Sequence, residues 1–166
     1  MSATWNMPGL ARATSGFDFL VGTWAVRSRR LREPLAAVEE WYVTDAAARA
    51  TTLQNGAISV DEMWFPEEGF AGSSIRLYDA AEDAWTIYWV NSRSGRLQAP
   101  VVGRWSDSTF TADGSDVYNS VSIIARYRWH SISGNTATWE QAFSTDGRLT
   151  WQTNWVMEWR RDKNAT

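Results

Sequence analysis

The chain has 166 residues, no cysteine, a formal net charge of −3 and 44% hydrophobic residues, 12 of them tryptophan. The length suits one domain with a sizeable core, and the missing cysteine excludes disulfide staples, thiol catalysis and thiolate metal sites. Mild acidity without a basic cluster argues against a nucleic-acid partner.

Other classes fall away on single residues. Lys163 is the only lysine and sits in a polar tail, so Schiff-base chemistry on retinal or pyridoxal is not expected. Neither Gly-x-Gly-x-x-Gly nor a Walker pattern occurs, so nucleotide-dependent chemistry is not expected and no cofactor is implied. Residues 1–14 lack the apolar run of a secretory leader, and no apolar stretch approaches the roughly 20 residues of a membrane span. The expectation is a cytoplasmic protein with no membrane partner. The 164–166 sequon (NAT) reads as chance.

In chain order, residues 1–16 read as an N-terminal arm and 17–163 as one domain. Segment 17–21 (FDFLV), after Thr14, Ser15 and Gly16, predicts a short helix capped by Thr14 or Ser15 that plugs one end. From Thr23 onward, aromatic and β-branched residues recur between Gly, Asp, Asn and Ser, which is the pattern of an all-β sandwich or barrel. Strands are expected at 23–31, 38–44, 48–53, 57–65, 73–79, 85–91, 101–105, 109–112, 122–130, 137–143 and 151–159. The last two flank a turn-forming stretch at 144–148 (STDGR) and predict a hairpin. Such spacing gives about eight to ten antiparallel strands, enough to close a barrel around a small cavity.

The tryptophans follow a parity. On a strand, alternate residues share a face, which groups Trp85, Ile87, Trp89 and Asn91, then Trp151, Trp155 and Trp159, then Trp139 and Phe143, then Tyr127 and Trp129. If each set points inward, several indoles enter one interior. Asn91, Gln141 and Thr153 share those faces and offer partners to an indole N–H or to a ligand. The same pattern fits a solid aromatic core, and parity alone leaves both open.

At 17–24 (FDFLVGTW) the chain begins to resemble the bacterial DUF1579-type lipocalin-like domains of the calycin superfamily. The resemblance continues at 28–31 (SRRL), 75–79 (IRLYD), 85–89 (WTIYW), 100–104 (PVVGR), 139–144 (WEQAFS) and 154–158 (NWVME), and covers residues 17–161. It implies a single antiparallel calycin-like β-barrel whose Gly22-x-Trp24 opens the first strand. It further implies that Trp24 packs at the closed end, with Arg161 stacked across it as a cation–π contact. The chain departs from the family pattern at Trp105 and Trp159, where smaller aromatics are common, and at Asn91, which replaces an acid.

Residues that could carry chemistry are few. His130 is the only histidine, which excludes a histidine-cluster metal site. As a strand-end residue opposite in parity to Trp129, it reads as turn-satisfied rather than as a haem ligand. Glu140, Tyr88 and Arg76 are the candidates for acid–base or oxyanion roles, with Glu158 as a further acid. Cross-strand pairing of Glu140 and Glu158 with Arg126 or Arg128 on the outer wall is the plainer account. Arg76, Arg29 and Arg30 offer a guanidinium fork for a carboxylate or enolate. The polar loop 91–100 reads as a lid over the open end, and the acidic residues Asp61, Glu62, Glu67 and Glu68 read as a charged rim around 63–66.

Three functional readings follow. The first is binding of a small, largely apolar or aromatic molecule, with stacking from Trp89, Trp129, Trp139 and Trp155 and orientation from Asn91 and Gln141. The second is a cofactor-independent isomerase, cyclase or hydratase in the same cavity. The third is a solid-core interaction protein that forms a homodimer through residues 63–65 or through an exposed tryptophan face.

Overall fold

The computed structural model describes residues 9–162. Lys163, the 164–166 sequon and half of the expected arm lie outside the described residues. Ten antiparallel strands form the barrel: β1 (Gly22–Leu31), β2 (Trp41–Leu53), β3 (Ile58–Phe65), β4 (Phe70–Asp79), β5 (Ala84–Asn91), β6 (Val101–Ser106), β7 (Thr109–Tyr118), β8 (Val121–His130), β9 (Thr136–Ser144) and β10 (Gln152–Arg161). Each strand pairs with its sequence neighbours, and β10 returns to β1 to close the sheet. This is the all-β lipocalin-like barrel expected from the sequence.

Two expected interruptions are absent. Residues 38–44 and 48–53 do not form separate strands, because β2 runs unbroken through Asp45, Ala46 and Ala47. The inward positions Thr44, Ala46 and Ala48 keep the alternation. Ala48 lies opposite Trp24 and Ala46 opposite Val26, so small side chains make room for the neighbouring indole. Likewise β7 does not stop at Ala112 but continues through Asp113, Gly114, Ser115 and Asp116. There Asp113 turns outward and accepts two 2.8 Å bonds from Arg126 on β8, so a residue typical of turns is held in a strand by a cross-strand ion pair.

The expected helix is a single 3-10 turn, Asp18–Leu20, with no side-chain cap. Asp18 N–H bonds instead to the Ser15 carbonyl at 3.0 Å, and the Thr14 hydroxyl accepts from Gly16 N–H at 3.2 Å. So short a turn leaves few orphan amides for a cap to satisfy. Its role is to close the barrel. Phe17 packs edge-on against Trp85 and Phe110, with ring centroids 4.7 and 5.0 Å away, and Phe19 meets Trp129 at 5.5 Å.

Trp24 and Arg161 complete this floor. Trp24 is 1% exposed, and its Nε1–H donates to the Leu20 carbonyl at 2.7 Å. The Arg161 guanidinium carbon lies 3.9 Å from the Trp24 ring centroid. Its Nη1 donates to the Val21 carbonyl and its Nη2 to the Phe19 carbonyl at 2.6 Å. Gly22 has φ +118°, and a Cβ there would sit 2.8 Å from Arg161 Nη1, so the first residue of the Gly-x-Trp sequence must lack a side chain. Trp24→Ala removes a filled indole site, for which about 3–5 kcal/mol of stability is expected. Thermal melting should fall steeply, while affinity for a ligand bound in the upper barrel changes far less; the reverse ordering would contradict this assignment.

Candidate ligand-binding cavity

Of the tryptophans within the described residues, eight join the interior aromatic cluster and Trp41, Trp64 and Trp151 do not. The interior divides into two halves. Around Phe17, Trp24, Trp85 and Phe110 it is filled. Above, between Trp129 and Trp159 at the bottom and the 92–100 loop at the top, it encloses a cavity of about 500 Å³.

All six residues expected to contact a ligand line this cavity: Trp89, Asn91, Trp129, Trp139, Gln141 and Trp155. Trp139 and Trp155 meet edge-to-face at 5.2 Å, and Trp155 and Trp89 at 6.3 Å. Gly72 on β4 is what lets Trp89 lie inward, since a Cβ at that position would approach its ring to 2.1 Å. Trp155 is anchored through an Nε1–H bond of 2.9 Å to the buried Ser28 hydroxyl. The two polar members are already engaged. Asn91 Oδ1 accepts the amides of Arg93 and Ser94, each at 3.1 Å, and Gln141 Nε2 donates to Asn154 Oδ1 at 2.8 Å.

The parity set on β10 needs correction. A bulge between Thr153 and Trp155 shifts the register, so Trp155, Met157 and Trp159 point inward while Trp151 and Thr153 turn outward. Trp151 instead carries Arg126 over its ring at 3.7 Å. The unpaired residue of the bulge, Asn154, is buried and receives the Gln141 bond, which accounts for the break in alternation.

The candidate catalytic residues separate. Glu140 faces the outer wall, 3.4 Å from His130 Nε2 and 3.9 Å from Arg128 Nη1, and Tyr88 lies on the outer face of β5 opposite Ile75. Neither reaches the cavity. Glu158 is exposed on β10. His130 lies on the outer face, with Nδ1 2.9 Å from the Ser131 hydroxyl. Arg76 alone of the set turns inward. Its side chain is 3% exposed and forms an ion pair with Asp61, itself 1% exposed. Ser74 N–H also donates to Asp61, at 3.1 Å. Asp61 is therefore no part of a charged rim: it alternates with Met63 and Phe65 on the inner face of β3.

Two further charges belong to the wall. Arg29 turns outward against Trp41, at 5.0 Å, whereas Arg30 turns inward against Trp155, at 3.6 Å. Burial pulls the Arg30 pKa down, opposed by Tyr42 and Glu68. Tyr127, whose ring sits 5.3 Å from Trp139, is pushed up to about 12 by burial and, to a lesser degree, by the negative charge of Asp116. Residues 63–65 do not form an exposed apolar strip: Met63 and Phe65 are buried, and only Trp64, at 49%, faces solvent. Among the described residues no group of three His, Asp or Glu is arranged to hold a metal ion, and no helix is long and apolar enough to cross a membrane.

No family model and no curated protein matches this chain. Among solved structures it is similar to the S-type phycobiliprotein lyase CPES from Guillardia theta, with a TM-score of 0.56 and 15% sequence identity over 90% of this chain and 92% of that one. At that identity the likeness establishes the fold alone.

The Tyr127 shift has a defined sign. The folded protein favours the neutral phenol, so this contribution to stability is complete below the ordinary tyrosine pKa of about 10 and is lost as pH rises toward 12. Tyr42 is raised as well, chiefly by burial, and Tyr78 by its hydrogen bond to Asp83, so an alkaline absorbance titration should show a late ionisation at about 12 that Tyr127→Phe removes; a titration curve that this variant leaves unchanged at high pH would contradict the assignment.

Proposed function

We propose that this protein binds a small, largely apolar or aromatic molecule in the upper half of its barrel. The observation that carries the reading is the cavity of about 500 Å³ walled by Trp89, Trp129, Trp139 and Trp155. That volume falls within the range of small-molecule sites, which combine apolar walls with a few fixed polar groups. The polar groups here include the Arg76–Asp61 pair, Arg30, Asn91, Gln141 and Asp116. Indoles held edge-to-face leave their remaining surfaces to stack on a flat guest. On the same footing, the matches from 17–24 through 154–158 lead us to group the chain with the DUF1579-type lipocalin-like proteins.

The binding reading is favoured over catalysis by the position of the acids. Glu140 and Tyr88 turn away from the cavity. Of the two carboxylates in the lining, Asp61 accepts from the Arg76 guanidinium and from the Ser74 amide, and Asp116 accepts the Val117 amide at 2.8 Å. A general base must take a proton from the substrate, and Asp61 is committed at each oxygen to a fixed donor, one of them the guanidinium that balances its charge.

Titration with neutral aromatic compounds, followed through tryptophan emission, should give a saturable change with one-to-one stoichiometry. Trp139→Ala should weaken the best binder by about tenfold or more, the equivalent of one lost aromatic contact with its buried area. Gly72→Ala should also weaken it, by forcing the Trp89 ring into the cavity. Failure of every compound to alter emission or melting temperature would overturn the proposal.

A further inference from the structure

We infer that Arg30 is a carboxylate anchor at the rim of the cavity, and that the ligand is an amphiphile with an apolar or aromatic body and one carboxylate. The inference rests on the cavity-binding reading and adds the class and orientation of the guest: body against the tryptophans, head at the end of β1.

Arg30 is the penultimate residue of β1, at the end of the barrel away from the Phe17 floor. Its guanidinium is stacked 3.6 Å from the Trp155 centroid and lies 5.7 Å from both Phe65 and Phe70. Aromatic surfaces thus fix its plane. Glu68 and Tyr42 hold one side of it: Nη1 lies 3.3 Å from Glu68 Oε2, and the Tyr42 hydroxyl bears on the same guanidinium. Nε and Nη2 are buried and have no hydrogen-bond partner. These two N–H groups form the side edge of the guanidinium, the fork that takes a carboxylate through two parallel bonds. A buried donor left unpaired carries the full desolvation penalty of that group, so an acceptor delivered by a ligand gains more here than at a solvated arginine.

Glu68 does not fill that role. Its Oε2 also accepts from the Tyr42 hydroxyl at 3.3 Å, and its Oε1 from the Thr44 hydroxyl at 3.3 Å, which holds the carboxylate beside Nη1 and away from the side edge. The rim also carries a second cation. Arg93 lies over Phe70 at 4.5 Å and donates to the Glu68 carbonyl at 2.5 Å, and its charge opposes that of Arg30. Arg93 thus holds the Glu68 backbone rather than its carboxylate, and it brings a second positive charge to the same end of the cavity, where an anionic head would meet both guanidinium groups.

Arg76 is the rival anchor and is the poorer one. Only one of its nitrogens, Nε, lacks a partner, and it sits deep, 5.0 Å from the floor residue Phe17. Asp61 already neutralises it, so an anion brought to Arg76 would meet that carboxylate at the same time.

The test compares pyrenebutyrate with the neutral pyrenebutanol, two guests of nearly equal shape whose pyrene accepts energy from tryptophan. Wild-type protein should bind the carboxylate about tenfold or more tightly, the value of a charge-assisted fork over a neutral hydroxyl. Arg30→Met should bring the ratio of the two affinities close to one. Arg30→Lys, which keeps the charge and loses the fork, should lower it severalfold. Reading the ratio removes any general loss of affinity in a variant, and melting curves check that each is folded. Equal affinities in the wild type, or a ratio that Arg30→Lys leaves unchanged, would overturn the anchor while leaving the cavity reading in place. If neither probe binds wild type, the cavity reading fails and the anchor with it.

Discussion

Arg161 ties the end of the last strand to residues 19–24, some 140 positions earlier in the chain. Its guanidinium lies on the Trp24 ring near the start of β1, while its nitrogens take the carbonyls of Phe19, within the 3-10 turn, and Val21, just after it. Those carbonyls close the barrel and have few other partners within the short turn. One cation thus satisfies two backbone acceptors and the face of a buried indole, an arrangement that is strong because it is partly desolvated. Gly22 makes the approach sterically permissible. With this end sealed, Phe17 and Phe19 are held against Trp85, Trp105, Phe110 and Trp129, and the lower half of the barrel becomes a solid aromatic block.

A solid floor is what permits a hollow upper half. The energy of the fold is concentrated where aromatic rings interlock, so that the walls above can face a void without collapsing into it. They are further braced by polar contacts that would be wasteful in an ordinary core: Trp155 to Ser28, Gln141 to Asn154 and Asp61 to Arg76. Buried polar groups of this kind stabilise little on balance but fix side chains in one geometry when every partner is present. The two inward arginines differ in this respect. Arg76 is matched by a buried carboxylate, whereas Arg30 is matched on one side only.

Much of this was legible in the chain itself, because a barrel strand writes its inner face at every second residue. Trp85 and Trp89, Tyr127 and Trp129, and Trp139 and Phe143 all fall as period-two alternation places them. Alternation failed where a single extra residue entered a strand: the bulge at Asn154 turned Trp151 and Thr153 outward, and no local residue type announces it. Composition misled at Asp61, since an adjacent Glu62 gives the pair the look of a solvated rim, although Ser59, Asp61, Met63 and Phe65 alternate inward. Runs of alanine and of turn-forming residues concealed the continuity of β2 and β7, where packing against Trp24 and pairing with Arg126 override weak strand preference. The division between filled floor and open cavity was not legible at all. It depends on which small residues, such as Gly72 and Ala48, lie against which indoles, a matter of contacts between strands rather than along them.

The ladder around the barrel is uneven. Most neighbouring strands pair over seven residues or more, but β5 and β6 pair at only three positions, Trp85 with Gly103, Thr86 with Val102 and Ile87 with Val101. All three lie toward the floor. Beyond Ile87 the two strands diverge, and the amide of Gln98, bonded to the Trp89 carbonyl at 2.8 Å, stands in for the missing ladder. A closed sheet has no edge, so it can part only by breaking hydrogen bonds between adjacent strands, and the free energy to do so is smallest where those bonds are fewest. The upper β5–β6 seam, bordered by Trp89 on one side and by Gln98 and Ala99 on the other, is therefore the place where thermal opening of this barrel begins, and it opens directly onto the cavity wall rather than onto the packed floor.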